Sequence, residues 1–309
     1  MADAASLQEK FDLPGVLRFE QSAAGLTFLQ ITLPSAQATL CTQGAHLMQW
    51  QPTGHDPVLY LSERAQYAQG KAIRGGIPVI FPWFGDRHDG FSGPAHGFAR
   101  TSEWDLAFVA LTGSNEEPEL HLDFTLAPSK ISHSLGFDNF RAGCRFTIGR
   151  ELRIDFSVVN STLNDRPLTI EQALHTYFAV GDVHAILIDG LGGATYIDKV
   201  DGGARRTQSP GPLRLTGRTD RPYLNTDTTC VLHDPAGKRN ITISKHGSLS
   251  TVVWNPWQEL TATMADMQPD DWLRMVCIET ANVADNALLL QPGEAHTIRV
   301  TISVERVAQ

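Results

Sequence analysis

No stretch of this 309-residue chain sustains a long amphipathic helical period, and that constrains its fold more than any single motif. Short runs of β character recur in its place. Glu119–Leu126 (ELHLDFTL) alternates strictly, so Leu120, Leu122, Phe124 and Leu126 share one face. Residues 295–304 alternate as cleanly, with Ile298, Val300, Ile302 and Val304 together. Cys144–Ile148 and Leu152–Asn160 flank Gly149-Arg150, a hairpin turn signal. Further runs lie at 26–33, 38–42, 47–51, 168–174, 230–233, 241–245, 251–254 and 273–279. Helical pieces are expected to be short, at Leu7–Phe11 and Ala65–Gln69. Many short strands with turns between them predict an all-β fold, a large antiparallel β-sandwich forming one domain over residues 1–309.

The net charge of −9 and the lack of a basic stripe argue against nucleic acid as a partner. A local arginine pair can still hold a small anion. Cys41, Cys144, Cys230 and Cys277 are scattered, with no metal or redox spacing, and read as reduced thiols. The eleven histidines include no HxH or HxxxH pair, so no metal is expected. Nothing resembles a membrane span or a signal core, and the expected location is the cytoplasm. P-loop, GxGxxG and GxSxG motifs are missing, which argues against kinases, dehydrogenases and serine hydrolases.

One stretch breaks the strand pattern. Arg74–Arg100 reads RGGIPVIFPWFGDRHDGFSGPAHGFAR. Pro78, Pro82 and Pro94 forbid a helix, and Gly75-Gly76 permits close backbone approach. Such a loop suits a binding wall: aromatic surface from Trp83 and Phe84, guanidinium groups at each end, and His96 within it. Elsewhere, His175 ends an expected strand in LHTYF. Glu279 follows the apolar Val276-Cys277-Ile278, a setting in which glutamate is seldom found unless paired or functional. A histidine and a carboxylate suit proton transfer at two atoms of one substrate. Trp254-Asn255-Pro256-Trp257 is either a packed corner or a rim for a sugar.

RGGIPVIFPWFG, AHGFAR, LHTYF, GLGGATYIDK, VVWNPW, ADMQPDDWLRMVCIE and LQPGEAHT together resemble the D-hexose-6-phosphate mutarotases, or glucose-6-phosphate 1-epimerases, of the wider aldose 1-epimerase group. The likeness runs from about Gly44 to the C-terminus. It implies a galactose-mutarotase-like sandwich and a cofactor-free interconversion of the α and β anomers of a hexose 6-phosphate. The sequence leaves the oligomeric state open, a monomer being one reading. The likeness also implies His175 and Glu279 as the acid–base residues. Arg74, Arg100 and Asp198 would contact substrate, with His96 as a neighbouring hydrogen-bonding group. Gly75 and Gly76 could add backbone donors to the phosphate. Ala95 stands where some relatives carry glutamine before the second arginine motif. Two alternatives stay open: an aldose 1-epimerase of neutral sugars, and a non-catalytic sugar-phosphate-binding protein.

Overall fold

Alternation decides which side chains each strand buries, and the strands then stack by those faces. The computed structural model describes residues 3–307. Two eight-stranded antiparallel sheets dominate it. The first runs, in spatial order, Leu187–Asp189, Cys230–Asp234, Arg239–His246, Ala295–Arg306, Leu152–Asn160, Phe140–Ile148, Pro118–Leu126 and Asp105–Gly113. Leu120, Leu122, Phe124 and Leu126 are all buried, as their alternation predicts, and so are Ile298, Val300 and Ile302. The 140–160 hairpin also forms as expected.

The second sheet carries Ala204–Thr207, Thr195–Asp198, Thr219–Leu224, Ser250–Asn255, Met275–Asn282, Gln172–Leu174 and Val79–Ile80 in order, with Tyr177–Ala179 also paired to Met275–Asn282. A four-stranded meander, Leu17–Gln21, Thr27–Thr32, Ala36–Cys41 and His46–Pro52, completes the main body. One apolar core draws on all three sheets, from Leu7 to Ile302. All four cysteines are free and buried. Among the described residues no helix is long and apolar enough to cross a membrane.

Met275–Asn282 is buried along its whole length. Val276 and Ile278 enter the main core, whereas Cys277 and Glu279 lie on the opposite face. That second face is not left to solvent. Ile80 and Phe84 of Arg74–Arg100 pack with Val252 and Ala281 there, and Tyr60, Tyr177 and Met267 cluster with Cys277. Backbone bonds hold Arg74–Arg100 to the neighbouring segment of the sheet: Tyr177 N–H to the Gly76 carbonyl, His175 N–H to Pro78 and Glu171 N–H to Pro82, at 2.8–3.0 Å. Gly76 permits this path. Its φ is +63°, and a Cβ there would collide with the Leu47 carbonyl.

Two local expectations fail. Ala65–Gln69 forms no helix, because the Gln43 side chain takes the carbonyls of Ala68 and Lys71 and the amide of Gly70. The expected strand at 168–174 divides at Glu171 into Leu168–Ile170 and Gln172–Leu174. The Glu171 carboxylate accepts from the amides of Phe84 and Ala284 and so ties three segments together.

Beneath the double glycine, His46 Nε2–H donates to the Gly75 carbonyl at 2.8 Å. Burial depresses this imidazole to about 4 from the ordinary 6.5. The unfolded chain therefore takes up a proton near pH 6.5 that the folded chain refuses until about pH 4. The stability from neutral His46 is full above that window and is lost as pH falls through it. We expect His46→Gln to melt lower at pH 7.5 but to lose roughly 1–3 kcal/mol less than the parent between pH 7 and 4.5, read by thermal melts. Equal losses in both proteins would contradict this role.

Candidate active site

Strand pairing of Gln172–Leu174 and Tyr177–Ala179 with Met275–Asn282 brings two residues more than a hundred positions apart into contact. His175 follows Gln172–Leu174, and Glu279 projects from Met275–Asn282. His175 Nε2 lies 3.4 Å from Glu279 Oε1. The two are 6% and 1% exposed, so water scarcely reaches either. Both Glu279 oxygens and His175 Nδ1 are buried without a hydrogen-bond partner among the described residues. Native proteins rarely leave such groups unpaired unless they serve a ligand or a reaction.

The contact distance permits an ion pair, but burial opposes charge on both partners. Desolvation lifts the Glu279 carboxyl well above the usual range, and the Asp220 carboxylate adds to this. Desolvation also drops His175 well below its usual value, with His96 and the nearby arginines contributing. Burial therefore favours a neutral pair holding one proton. The charges of Lys199 and Arg100 act the other way on Glu279.

Aromatic rings fix the imidazole. Tyr177 stacks on His175 at 4.8 Å and 10°. Phe84 lies on a near-parallel plane at 6.3 Å, and Trp254 meets the ring edge-on at 6.3 Å. His96 approaches at 5.5 Å. Its Nδ1 accepts from the Gly85 amide at 3.2 Å, which leaves the proton of the neutral ring on Nε2 as a donor. Burial holds His96 neutral, depressed to about 3.

The arginines differ from one another. Arg74 donates from Nε and Nη2 to Asp266 Oδ2, each at 3.1 Å, and from Nη1 to the Tyr177 hydroxyl at 2.9 Å. Its charge is largely matched. Arg100 donates from Nη2 to the Ala95 carbonyl at 2.8 Å, and its buried Nε has no partner. No described carboxylate pairs with it. Ala95 thus contributes a carbonyl where a glutamine side chain was in question. Lys199 adds a further cation, its Nζ 4.9 Å above the Phe84 ring.

Several expected contacts are otherwise employed. Asp198 Oδ1 accepts from the amides of Val200 and Asp201, and Oδ2 accepts from Arg221 at 3.2 Å. This carboxylate caps a turn and pairs a strand neighbour, which leaves it little capacity for substrate. The Gly76 amide donates to the Tyr60 carbonyl and is not free for phosphate. Trp83 turns away from His175, packing on Phe98 and Phe137. Asn255 is a buried brace for the Trp272 and Met275 carbonyls, so the Trp-Asn-Pro-Trp corner is packed and only Trp254 reaches the site.

Asp220, which the sequence did not single out, lies on the face of the pair. It pairs in register with Trp254, which pairs with Cys277, so all three share the face that carries Glu279. Burial raises its carboxyl, and Lys199 and Arg218 oppose that shift. The sequence signal was slight: an acidic residue at the second position of a strand, in TDRPYL. We expect Asp198→Asn to lower stability by about 0.5–2 kcal/mol with little change in turnover. Asp220→Asn should leave stability intact and cut kcat/KM on a hexose 6-phosphate about tenfold or more. The reverse pattern would return the substrate role to Asp198.

The aldose 1-epimerase family profile matches residues 28–303. A relative from Escherichia coli (strain K12) is 34% identical over 272 residues, 88% of this chain and 88% of its own. One from Salmonella typhimurium (strain LT2) is 35% identical over 257 residues, 82% of this chain and 83% of its own. Both are named "Putative glucose-6-phosphate 1-epimerase". The crystal structure of a "putative mutarotase" from Salmonella typhimurium superposes with a TM-score of 0.85 at 32% identity, covering 96% of this chain and 95% of that one. With the profile spanning most of its length and relatives alike over most of theirs, the chain belongs to the aldose 1-epimerase family.

Proposed function

We propose that the chain interconverts the α and β anomers of a hexose 6-phosphate, glucose 6-phosphate being the leading candidate. The observation that carries this reading is the buried Glu279 carboxyl, unpartnered except for His175 at 3.4 Å. Family membership supports the reaction type, and the names of the two relatives support the substrate.

The chemistry needs a pair that can take one proton while giving another. In ring opening, Glu279 as carboxylate accepts the proton of the C1 hydroxyl. His175 as imidazolium gives its proton to the ring oxygen. The bond from C1 to the ring oxygen breaks, and the C1 carbonyl forms. Rotation about C1–C2 and the reverse transfers then deliver the other anomer. The pair is charged before opening and neutral after it. Burial penalises that charged starting form, which the charges of Lys199 and Arg100 on Glu279 partly offset, and opening returns the pair to the neutral form that burial favours. His96 Nε2–H can hold a sugar oxygen beside His175, and Asp220 can accept from a hydroxyl. Opposite charges on the arriving sugar phosphate would be met by Arg100, whose guanidinium has buried donor capacity to spare. Arg74, already bonded to Asp266, would contribute less.

The unmatched cation favours a phosphorylated sugar over a neutral one, since a neutral substrate leaves that charge uncompensated. A purely binding protein would gain nothing from an unpaired, proton-sharing pair at its centre.

Glu279→Gln and His175→Asn should each lower kcat roughly a hundredfold or more, with the fold retained. Arg100→Ala should reduce kcat/KM for glucose 6-phosphate by about tenfold to a hundredfold and leave any activity on free glucose nearly unchanged. Arg74→Ala should cost both substrates, because it also frees Asp266 and Tyr177. Near-native turnover in a folded Glu279→Gln or His175→Asn protein would remove that residue from the mechanism. Equal losses on both sugars in Arg100→Ala would move the phosphate site elsewhere.

A further inference from the structure

Cys277 lies two residues before Glu279 on the same strand and on the same face. Neither the turn chemistry nor the proposed proton transfers use its thiol. Its Sγ, a ring nitrogen of His175 and a carboxylate oxygen of Glu279 all lie within 4.8 Å of one another. All three residues are buried, and both Glu279 oxygens lack a partner among the described residues. We propose that this trio is a binding site for a borderline-soft divalent cation of the zinc type, and that the bound cation blocks catalysis.

Donor chemistry selects the ion. Thiolate, imidazole and carboxylate together suit zinc or cadmium, whereas magnesium and calcium want oxygen alone. The geometry is close to what is needed. Bonds of about 2.0–2.3 Å to a tetrahedral zinc imply ligand-to-ligand edges of about 3.3–3.8 Å. The His175–Glu279 edge is 3.4 Å as it stands. Closing the sulfur edges from at most 4.8 Å takes a shift of up to about 1.0–1.5 Å, shared between flexible side chains. The Cys277 proton is released on binding, and thiolate plus carboxylate then neutralise the cation. The nearby Asp220 carboxylate offsets part of the repulsion from Arg74, Arg100 and Lys199. A fourth position remains for water or a sugar oxygen. A cation so placed occupies the atoms that must exchange protons with substrate, so it inhibits.

The cation site stands on donor geometry alone, and only its inhibitory effect rests on the proposed mutarotase reaction. The reduced full-length protein is titrated with cadmium, and the thiolate-to-metal absorption band is followed. One equivalent should produce the band. Cys277→Ala should abolish it, Cys41→Ala should keep it, and Glu279→Gln should weaken binding about tenfold or more. Crystals of the unaltered protein soaked in cadmium give a second readout, free of any folding defect in the variants. An anomalous peak among His175, Cys277 and Glu279 is the expected result. A full band in folded Cys277→Ala, no band in the parent protein, or a peak confined to other residues would overturn the site. Zinc should then inhibit anomerisation of glucose 6-phosphate, with activity restored by chelator. Cadmium bound at the trio without inhibition by zinc would overturn the inhibitory half of the proposal and place the acid–base chemistry elsewhere.

Discussion

The removal of water from the His175–Glu279 contact is the constraint on which the rest of the site depends. In water a carboxyl would stay charged, an imidazole would titrate at about pH 6.5, and each would do little for the other. Buried 3.4 Å apart, each is pushed toward its neutral form. That arrangement exists only because Met275–Asn282 is covered on both faces. One face joins the main core, and the other is covered by Ile80 and Phe84 of Arg74–Arg100 together with Tyr60, Tyr177 and Met267. The glycines, prolines and His46 of the covering region thus act on chemistry they never touch.

Charge is distributed unevenly around this pair. Asp266 matches Arg74, and Arg221 matches Asp198, so both pairs are internally compensated. Arg100 and Lys199 are not compensated in that way. An acidic protein with net charge −9 therefore keeps local positive potential next to a proton-transfer pair. On the proposed function an anionic sugar would gain from it, and ionic strength would weaken that gain. Asp220 lies on the same face, and on the proposed function it would accept from a sugar hydroxyl.

Much of this was legible in the residues. Strict alternation in Pro118–Leu126 and Ala295–Arg306 gave the sandwich, because one buried face per strand leaves few other folds. Glu279 stood out since a carboxylate amid Val276, Cys277 and Ile278 has to be buried. The contacts of Arg74 and Asp198 were not legible. Arg74 meets Asp266 across 192 positions and Asp198 meets Arg221 across 23, and nothing local marks either pairing. Asp220 was passed over for the same reason, its importance lying in strand register rather than in its neighbours. Ala65–Gln69 misled because the Gln43 side chain, distant in sequence, takes the backbone groups a helix would have used. Trp83 and Phe84 looked equivalent in sequence, but adjacent residues point to opposite sides, and only Phe84 faces His175.

The central claim is that this desolvated pair opens and closes the ring of a phosphorylated hexose. Exchange NMR measures that step on the substrate itself, by transferring magnetisation between the α and β anomeric protons of glucose 6-phosphate at equilibrium. With catalytic amounts of the protein, the exchange rate should rise well above the spontaneous rate. The rise should disappear with Glu279→Gln and be much smaller for free glucose. An exchange rate no faster than in buffer, with the folded protein and binding of the sugar phosphate intact, would contradict the account.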